Sequence, residues 1–260
     1  MSQAWDSEES VRRWDAFAPQ YVEKFTDEGD LHREVLLNPA LFELLGDVRG
    51  RRVLDDGCGE GYLSRLLARR GAMVTAIDYA ESMLRIARER TPADLGVEFR
   101  HANAERLGFL PDAGFDVVVS NMVLIDLADY EAAIREAHRL LVPGGLYVLA
   151  ISHPCFSTPA AGRWMRDEQG ERLYWMVDRY FDEGPYEQRI MPRYDAVLLQ
   201  FHRTLTSYVR ASLRAGFILE DLVEPKPSPE MIEKHPEFVH DLRMSHFIVF
   251  KLRKPARVAS

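Results

Sequence analysis

The sequence predicts an open, doubly wound α/β sheet of seven mostly parallel strands. Three observations carry this. Apolar runs of strand length alternate with amphipathic stretches from about residue 51, a glycine-rich turn joins the first strand to its helix, and 47% hydrophobic residues in a chain of 260 supply enough material for a full core. A helical segment precedes the alternation, and an aromatic-rich insertion interrupts it after the fifth strand.

Residues 1–46 read as helical. RRVLDD is the first strand, YLSRLLARRG a helix ending at Gly71, AMVTAID the second strand, and AESMLRIARERT a helix stopped before Pro92. VEFRHANA and FDVVVSNM follow as third and fourth strands, the latter a buried run of valines. YEAAIREAHRLLVPGG is a helix closed by Pro143, Gly144 and Gly145, and LYVLAIS is the fifth strand. Strands separated by helices imply parallel pairing through right-handed crossovers. Residues 153–203 read as irregular and carry Phe156, Trp164, Tyr174, Trp175, Tyr180, Phe181, Tyr186, Tyr194 and Phe201. TLTSYVRASLRAG is then a helix ending at Gly216, and FILEDLVE and SHFIVFKL are the last two strands. A single domain over 1–260 is expected, with a helical cap segment at 1–46, a core at 47–152, the insertion at 153–203, and a terminal helix with two strands at 204–253.

The balance of 33 basic against 41 acidic residues, a formal charge of −8, argues against a nucleic-acid partner held by phosphate neutralisation. The KLRKPAR tail reads as a solvated end. Two cysteines, Cys58 and Cys155, are too few for a disulfide framework or a cysteine-built zinc site and read as small buried thiols; no metal is expected. No apolar run approaches the roughly 20 residues that span a bilayer, and the start MSQAWDSEESVRRWD is acidic where a leader peptide is basic and then apolar. The expectation is a cytoplasmic enzyme or binding protein with no membrane partner. A homodimer is left open.

VLDDGCGEGYLSRLL, residues 53–67, concentrates the chemistry. A strand that breaks into glycines and restarts as a helix brings backbone N–H groups and a helix N-terminus up to a ligand. A dinucleotide fingerprint needs a third glycine where Tyr62 stands, and a phosphate-binding P-loop needs a G-K-[ST] that is missing. Both are disfavoured by the spacing.

VLDDGCGEG resembles the first motif of the class I S-adenosylmethionine-dependent methyltransferases, and the likeness continues in order through VTAIDYAESML, HANAERLGF, FDVVVSNMVLIDL and LLVPGGLYVLAI, about residues 50–152. It implies the Rossmann-like methyltransferase fold, with S-adenosylmethionine as cofactor and S-adenosylhomocysteine as product. The residues that match the family's cofactor contacts are Asp55, Gly57, Cys58, Gly59, Asp78, Tyr79, Met83, Asn103, Ala104 and Asn121. Asn103 departs from the aspartate commonest in that place. A carboxylate at the position of Asp78 can accept both ribose hydroxyls, each such bond contributing roughly 1.5–3 kcal/mol; the other reading of Asp78 is a cap for the helix AESML. Tyr79 and Met83 would cover the adenine faces, or else belong to the core.

The insertion follows the fifth strand, at the carboxyl edge where open sheets bind ligands, and is expected to be a substrate lid whose rings enclose a flat, aromatic or cationic small molecule. Its other reading is a packing flap. Candidate proton-handling residues are His153 in SHPCF, Tyr21 in the cap segment, His202 in QFHRTL and, more weakly, Asp126 after the fourth strand; each has a structural alternative. The fourth strand ends in SNMV, without the Asn/Asp-Pro-Pro-aromatic motif of base-amine methyltransferases or the cysteine beside proline of the cytosine-C5 class. Methyl transfer to nitrogen, oxygen or carbon of a small metabolite is therefore expected. The alternatives are a non-catalytic S-adenosylmethionine-binding module, an RNA methyltransferase and a nicotinamide oxidoreductase.

Overall fold

The computed structural model describes residues 5–159, 161–189 and 196–256, so Tyr194 lies outside the described residues. Helix α1 (Ser7–Tyr21) starts on Asp6, whose side chain accepts the Glu9 N–H at 2.9 Å. A short 3₁₀ turn at Val22–Lys24 and a five-residue π-helical stretch at Arg33–Leu37 lead into α2 (Asn38–Leu45).

The alternating half then runs β1 (Arg52–Asp56), α3 (Tyr62–Arg69), β2 (Met73–Asp78), α4 (Glu81–Arg90), β3 (Glu98–His101), β4 (Phe115–Asn121), α5 (Tyr130–Leu140) and β5 (Leu141–Ser152). β5 begins at Leu141, ahead of the expected LYVLAIS. Its irregular Pro-Gly-Gly stretch is held there by Lys254, which exchanges backbone bonds of 3.0 Å with Gly144 and Gly145.

The insertion is not irregular as expected. It contains a hairpin, β6 (Arg163–Arg166) with β7 (Arg172–Met176), and a second antiparallel pair, β8 (Gly184–Gln188) with β9 (Leu198–His202). α6 (Leu205–Arg214), β10 (Ile218–Val223), α7 (Pro229–Lys234), a 3₁₀ segment at Pro236–Leu242 and β11 (Phe247–Arg253) complete the chain. The sequence pattern missed the two short helical pieces before β11, which have little apolar periodicity and bury only Phe238 and Asp241.

The seven-stranded sheet has the order β10-β11-β5-β4-β1-β2-β3. Every neighbour pair from β5 to β3 is parallel, while β11 lies antiparallel between β5 and β10. The apolar strands alternate between two cores. Leu54 and Val118 face the α5 and α6 side, and Val53, Val117 and Val119 face the α2 and α3 side. β1 has β2 on one flank and β4 on the other, so the chain reverses its winding there, and a crevice opens at the C-terminal ends of β1 and β4.

At that crevice β1 ends in two buried carboxyls. Asp55 accepts from Ser64 Oγ at 2.5 Å and Asp56 from Ser120 Oγ at 2.9 Å, while the other Asp56 oxygen has no partner among the described residues. Burial pushes both carboxyls up to about 7. An acid that holds its proton to about pH 7 when folded, and to about 4 when unfolded, binds more protons in the folded state across that window. Stability therefore falls as pH rises from about 4 to about 7, by up to about 1.4 kcal/mol per pH unit for each such group. Asp56→Asn should make that decline shallower and gain stability on the wild type above pH 7, as read by urea unfolding across pH; an unchanged slope would assign Asp56 an ordinary carboxyl.

Candidate active site

The glycine turn after β1 is folded back on β2. Gly57 N and Cys58 N both donate to Ile77 O, at 2.9 and 2.8 Å, and Gly59 N donates to Asp78 Oδ2 at 2.8 Å. The second Asp78 oxygen accepts Ala80 N at 2.8 Å, ahead of α4. The N–H groups of Gly57, Cys58 and Gly59 are thus already used inside the protein, while both Asp78 oxygens keep a lone pair. Gly57, Gly59 and Gly61 hold φ of +77°, +54° and +82°, a region costly for other residues. A Cβ on Gly57 would lie 2.3 Å from Val123, whereas one on Gly59 would meet nothing within 4 Å and project into open space.

That space is one cavity of about 750 Å³, lined at this end by Asp55, Gly57, Cys58, Gly59, Asp78, Tyr79, Met83, Ala104 and Asn121. Nine of the ten expected cofactor residues therefore meet at one wall. Asn103 does not: its neighbours Ala102 and Ala104 line the cavity, while its own carbonyl accepts Glu105 N at 2.9 Å and its amide donates to the Glu105 carboxylate at 3.2 Å. Cys58 is buried beneath the turn, and burial pushes its thiol well above the usual range. Asn121 Nδ2 donates to Tyr62 Oη at 2.6 Å, leaving Asn121 Oδ1 buried with no partner among the described residues.

The cap segment roofs the cavity. α1 is tied to two loops, β9 and α4: Ser7 Oγ donates to Glu105 at 2.5 Å and accepts Ala128 N at 2.8 Å, Ser10 Oγ donates to Leu199 O at 3.1 Å, and Asp15 accepts Ser82 N at 2.8 Å. It brings Trp14 and Tyr21 to the cavity, where Tyr21 Oη accepts from Arg33 at 2.8 Å. Arg33 also pairs with Asp30 and lies over the Phe25 ring at 5.1 Å. Burial raises the Tyr21 hydroxyl pKa despite the guanidinium beside it. Arg33 escaped the sequence reading because DLHREVLL looks like the polar side of an ordinary helix, and the π-helical stretch that turns it inward has no sequence signature.

The structure does not bring two of the catalytic candidates, His153 and His202, to the cavity. His153 is buried outside the cavity: its Nε2 bonds Glu224 Oε1 at 2.6 Å and its Nδ1 accepts Cys155 N at 3.2 Å, so both ring nitrogens are spent. His202 is likewise buried, donating to Tyr180 O at 2.8 Å beside a void of only about 10 Å³. Among the described residues the insertion's rings do not line the cavity either. Trp164 and Trp175 stack edge to face at 5.5 Å and pack against Arg243 and His246, and Phe181 is 84% exposed. Among the described residues the insertion contributes Gln188 and Gln200 to the cavity. The weaker candidate Asp126 does line it, beside Gln200 Nε2 at 3.3 Å.

Residues 54–149 match the methyltransferase domain family. Over 83% of this chain and 96% of the other, the structure superposes with a TM-score of 0.73 and 34% identity on an S-adenosylmethionine-dependent methyltransferase from Mesorhizobium loti. The chain belongs to the S-adenosylmethionine-dependent methyltransferases. It is also similar to the ubiquinone biosynthesis O-methyltransferases of Pseudomonas aeruginosa, 33% identical over 141 residues, and Xanthomonas oryzae, 38% over 154 residues. Those matches take in 54% and 58% of the methyltransferase and span 61% and 59% of the relatives' lengths. Among the described residues no helix is long and apolar enough to cross a membrane.

Since His153 faces Glu224 across the β5 end, His153→Ala should lower thermal stability and leave kcat per folded molecule within about a few-fold. A fall of about a hundredfold or more with the fold intact, measured on the refolded variant, would return His153 to the reaction.

Proposed function

We propose that the methyltransferase holds S-adenosylmethionine along the C-terminal edge of β1 and β2 and methylates a small molecule bound at the far end of the same cavity, against Trp14, Ile125, Asp126, Gln188 and Gln200. The observation that carries this is the continuity of one cavity of about 750 Å³ from the glycine turn to those side chains, a volume in the range of small-ligand sites. When bound, the cofactor supplies an electrophilic methyl group on a sulfonium sulfur.

Each part of the cofactor finds a complementary group. Asp78 uses one lone pair on each oxygen for Gly59 and Ala80 and keeps the others for two ribose hydroxyls. Tyr79 and Met83 supply an aromatic face and a thioether for the adenine, and Ala104 leaves room beside them. The unpartnered Asn121 Oδ1, with Asp55 behind it, faces the methionine ammonium. Arg33, whose buried Nε is also unpartnered, and the Tyr21 hydroxyl suit the methionine carboxylate. Asn103, with its amide committed to Glu105, drops out of this set.

The N–H groups of Gly57, Cys58 and Gly59 are already spent on Ile77 O and Asp78, which weighs against a pyrophosphate there and so against the nicotinamide alternative. α1 covers part of the cavity, and much of the rate enhancement comes from holding the acceptor in line, an effect that reaches about 7–11 kcal/mol in oriented systems. The two ubiquinone-biosynthesis relatives are O-methyltransferases and favour an oxygen acceptor, while the lining of the acceptor end favours another atom, as argued below.

Asp78→Ala should weaken S-adenosylhomocysteine binding by about ten- to a hundredfold in calorimetry, from the loss of charged hydrogen bonds. Unchanged affinity in a folded variant would put the nucleoside elsewhere. A screen of small-molecule acceptors with methyl-labelled donor, read by mass, should return a methylated metabolite; labelling of RNA alone would overturn the small-molecule reading.

A further inference from the structure

Asp126 closes the 3₁₀ turn at Leu124–Asp126 after β4, where α1 and β9 meet. Its carboxylate receives two neutral donors, Gln200 Nε2 at 3.3 Å and the Trp14 indole N–H. Gln200 is buried, and its carbonyl shares the single Tyr186 hydroxyl proton, at 3.2 Å, with Gln188 Oε1 at 3.0 Å. Among the described residues no cation pairs with Asp126. The nearby Arg203 spends its guanidinium on the carbonyls of Leu124, Leu127 and Ala128, at 2.9, 2.5 and 3.0 Å, and stacks over Tyr130 at 4.2 Å. A carboxylate lining a cavity without a counter-charge is poorly stabilised until a ligand brings one, and Trp14 beside it adds an aromatic side chain that suits a cation.

We infer that the acceptor is a cationic amine, bound through its ammonium to Asp126, and that Asp126 takes the proton that frees its lone pair. This rests on the reading of the cavity as a methyltransferase site. The ammonium proton passes to an Asp126 oxygen, the nitrogen lone pair forms a bond to the donor's methyl carbon, and the carbon–sulfur bond breaks with its electron pair staying on sulfur. The products are a methylated ammonium, the neutral thioether and protonated Asp126, which returns its proton to solvent. Gln188 and Gln200 remain as the polar groups that orient the rest of the molecule.

The groups that face Asp126 electrically are Asp78 at the end of β2, Arg203 after β9, Tyr21 on α1, Tyr186 on β8 and Tyr208 on α6. Enclosure wins over the two donors and Arg203, and the Asp126 carboxyl is pushed up to about 7. The carboxylate is the form that binds an ammonium and accepts its proton, so both amine affinity and kcat/KM should rise with pH through about 7.

The test uses the full chain, a panel of arylalkylamines headed by phenethylamine with their alcohol counterparts, and S-adenosylhomocysteine as a separate probe of the cofactor wall. Calorimetry should show amine binding to the S-adenosylhomocysteine complex, weakened about ten- to a hundredfold in Asp126→Asn, with S-adenosylhomocysteine affinity within about twofold of wild type. kcat with the best amine should fall by about 10²–10⁴ in that variant, and its pH step near 7 should vanish. Gln200→Leu removes a donor but keeps the charge, so its pH midpoint should move upward. Methylation confined to alcohols, an Asp126→Asn variant with wild-type amine binding and pH profile, or a loss of S-adenosylhomocysteine affinity in that variant would overturn the inference. A wild type that fails to bind S-adenosylhomocysteine at all would instead sink the reading of the cavity on which it rests.

Discussion

The bonds from Gly59 N and Ala80 N to the two oxygens of Asp78, each 2.8 Å, hold the site together. They link the turn after β1 to the start of α4, with the strands already in register from Arg52↔Met73 to Asp56↔Ile77. With Gly57 and Cys58 tied to Ile77 O as well, the first three N–H groups of the turn are spent inside the protein. Its glycines therefore serve close approach and left-handed backbone. The same strand–turn–helix outline that cradles phosphate in other proteins is thereby suited to a ligand that is cationic at its reactive centre.

A second constraint follows from charge. Asp55, Asp78 and Asp126 all line one cavity, and burial raises the pKa of each. Asp55 and Asp78 lie near enough for the charge on one to raise the other, and Asp78 acts on Asp126 in the same way. Such a cluster costs stability in the empty protein and becomes favourable when a positive ligand enters, so cofactor binding and folding are coupled by mass action. Arg33 does the opposite work at the roof. It is a cation held among Tyr21, Phe25 and Tyr62, with Asp30 as its ion pair among the described residues, poised for an anionic group.

The sheet was legible in the sequence because each strand from β1 to β5 carries its own period and punctuation, and Asp55, the glycines and Asp78 sit on that scaffold at fixed offsets. What failed was whatever depends on distant partners. His153 looked available after β5, but Glu224, 71 positions later, takes its Nε2. Ring content does not say which surface a hairpin turns toward: β6 and β7 place Trp164 and Trp175 against Arg243 and His246, and β9 sends Gln200 into the cavity. Trp14, Arg33 and Asp126 gain meaning only when α1 folds across the crevice, an arrangement fixed by side-chain bonds from Ser7, Ser10 and Asp15 that no local pattern encodes.

The central claim is that the crevice between the glycine turn and Asp78 is the nucleoside end of a single two-ligand cavity. A crystal structure of the protein with S-adenosylhomocysteine tests it most directly. The account predicts density for the ribose within hydrogen-bonding distance of the Asp78 carboxylate, the amino acid end between Asn121 and Arg33, and the sulfur directed toward the space beside Asp126. Density for the nucleoside outside the Gly59–Asp78 crevice, or a sulfur turned away from Asp126, would contradict it.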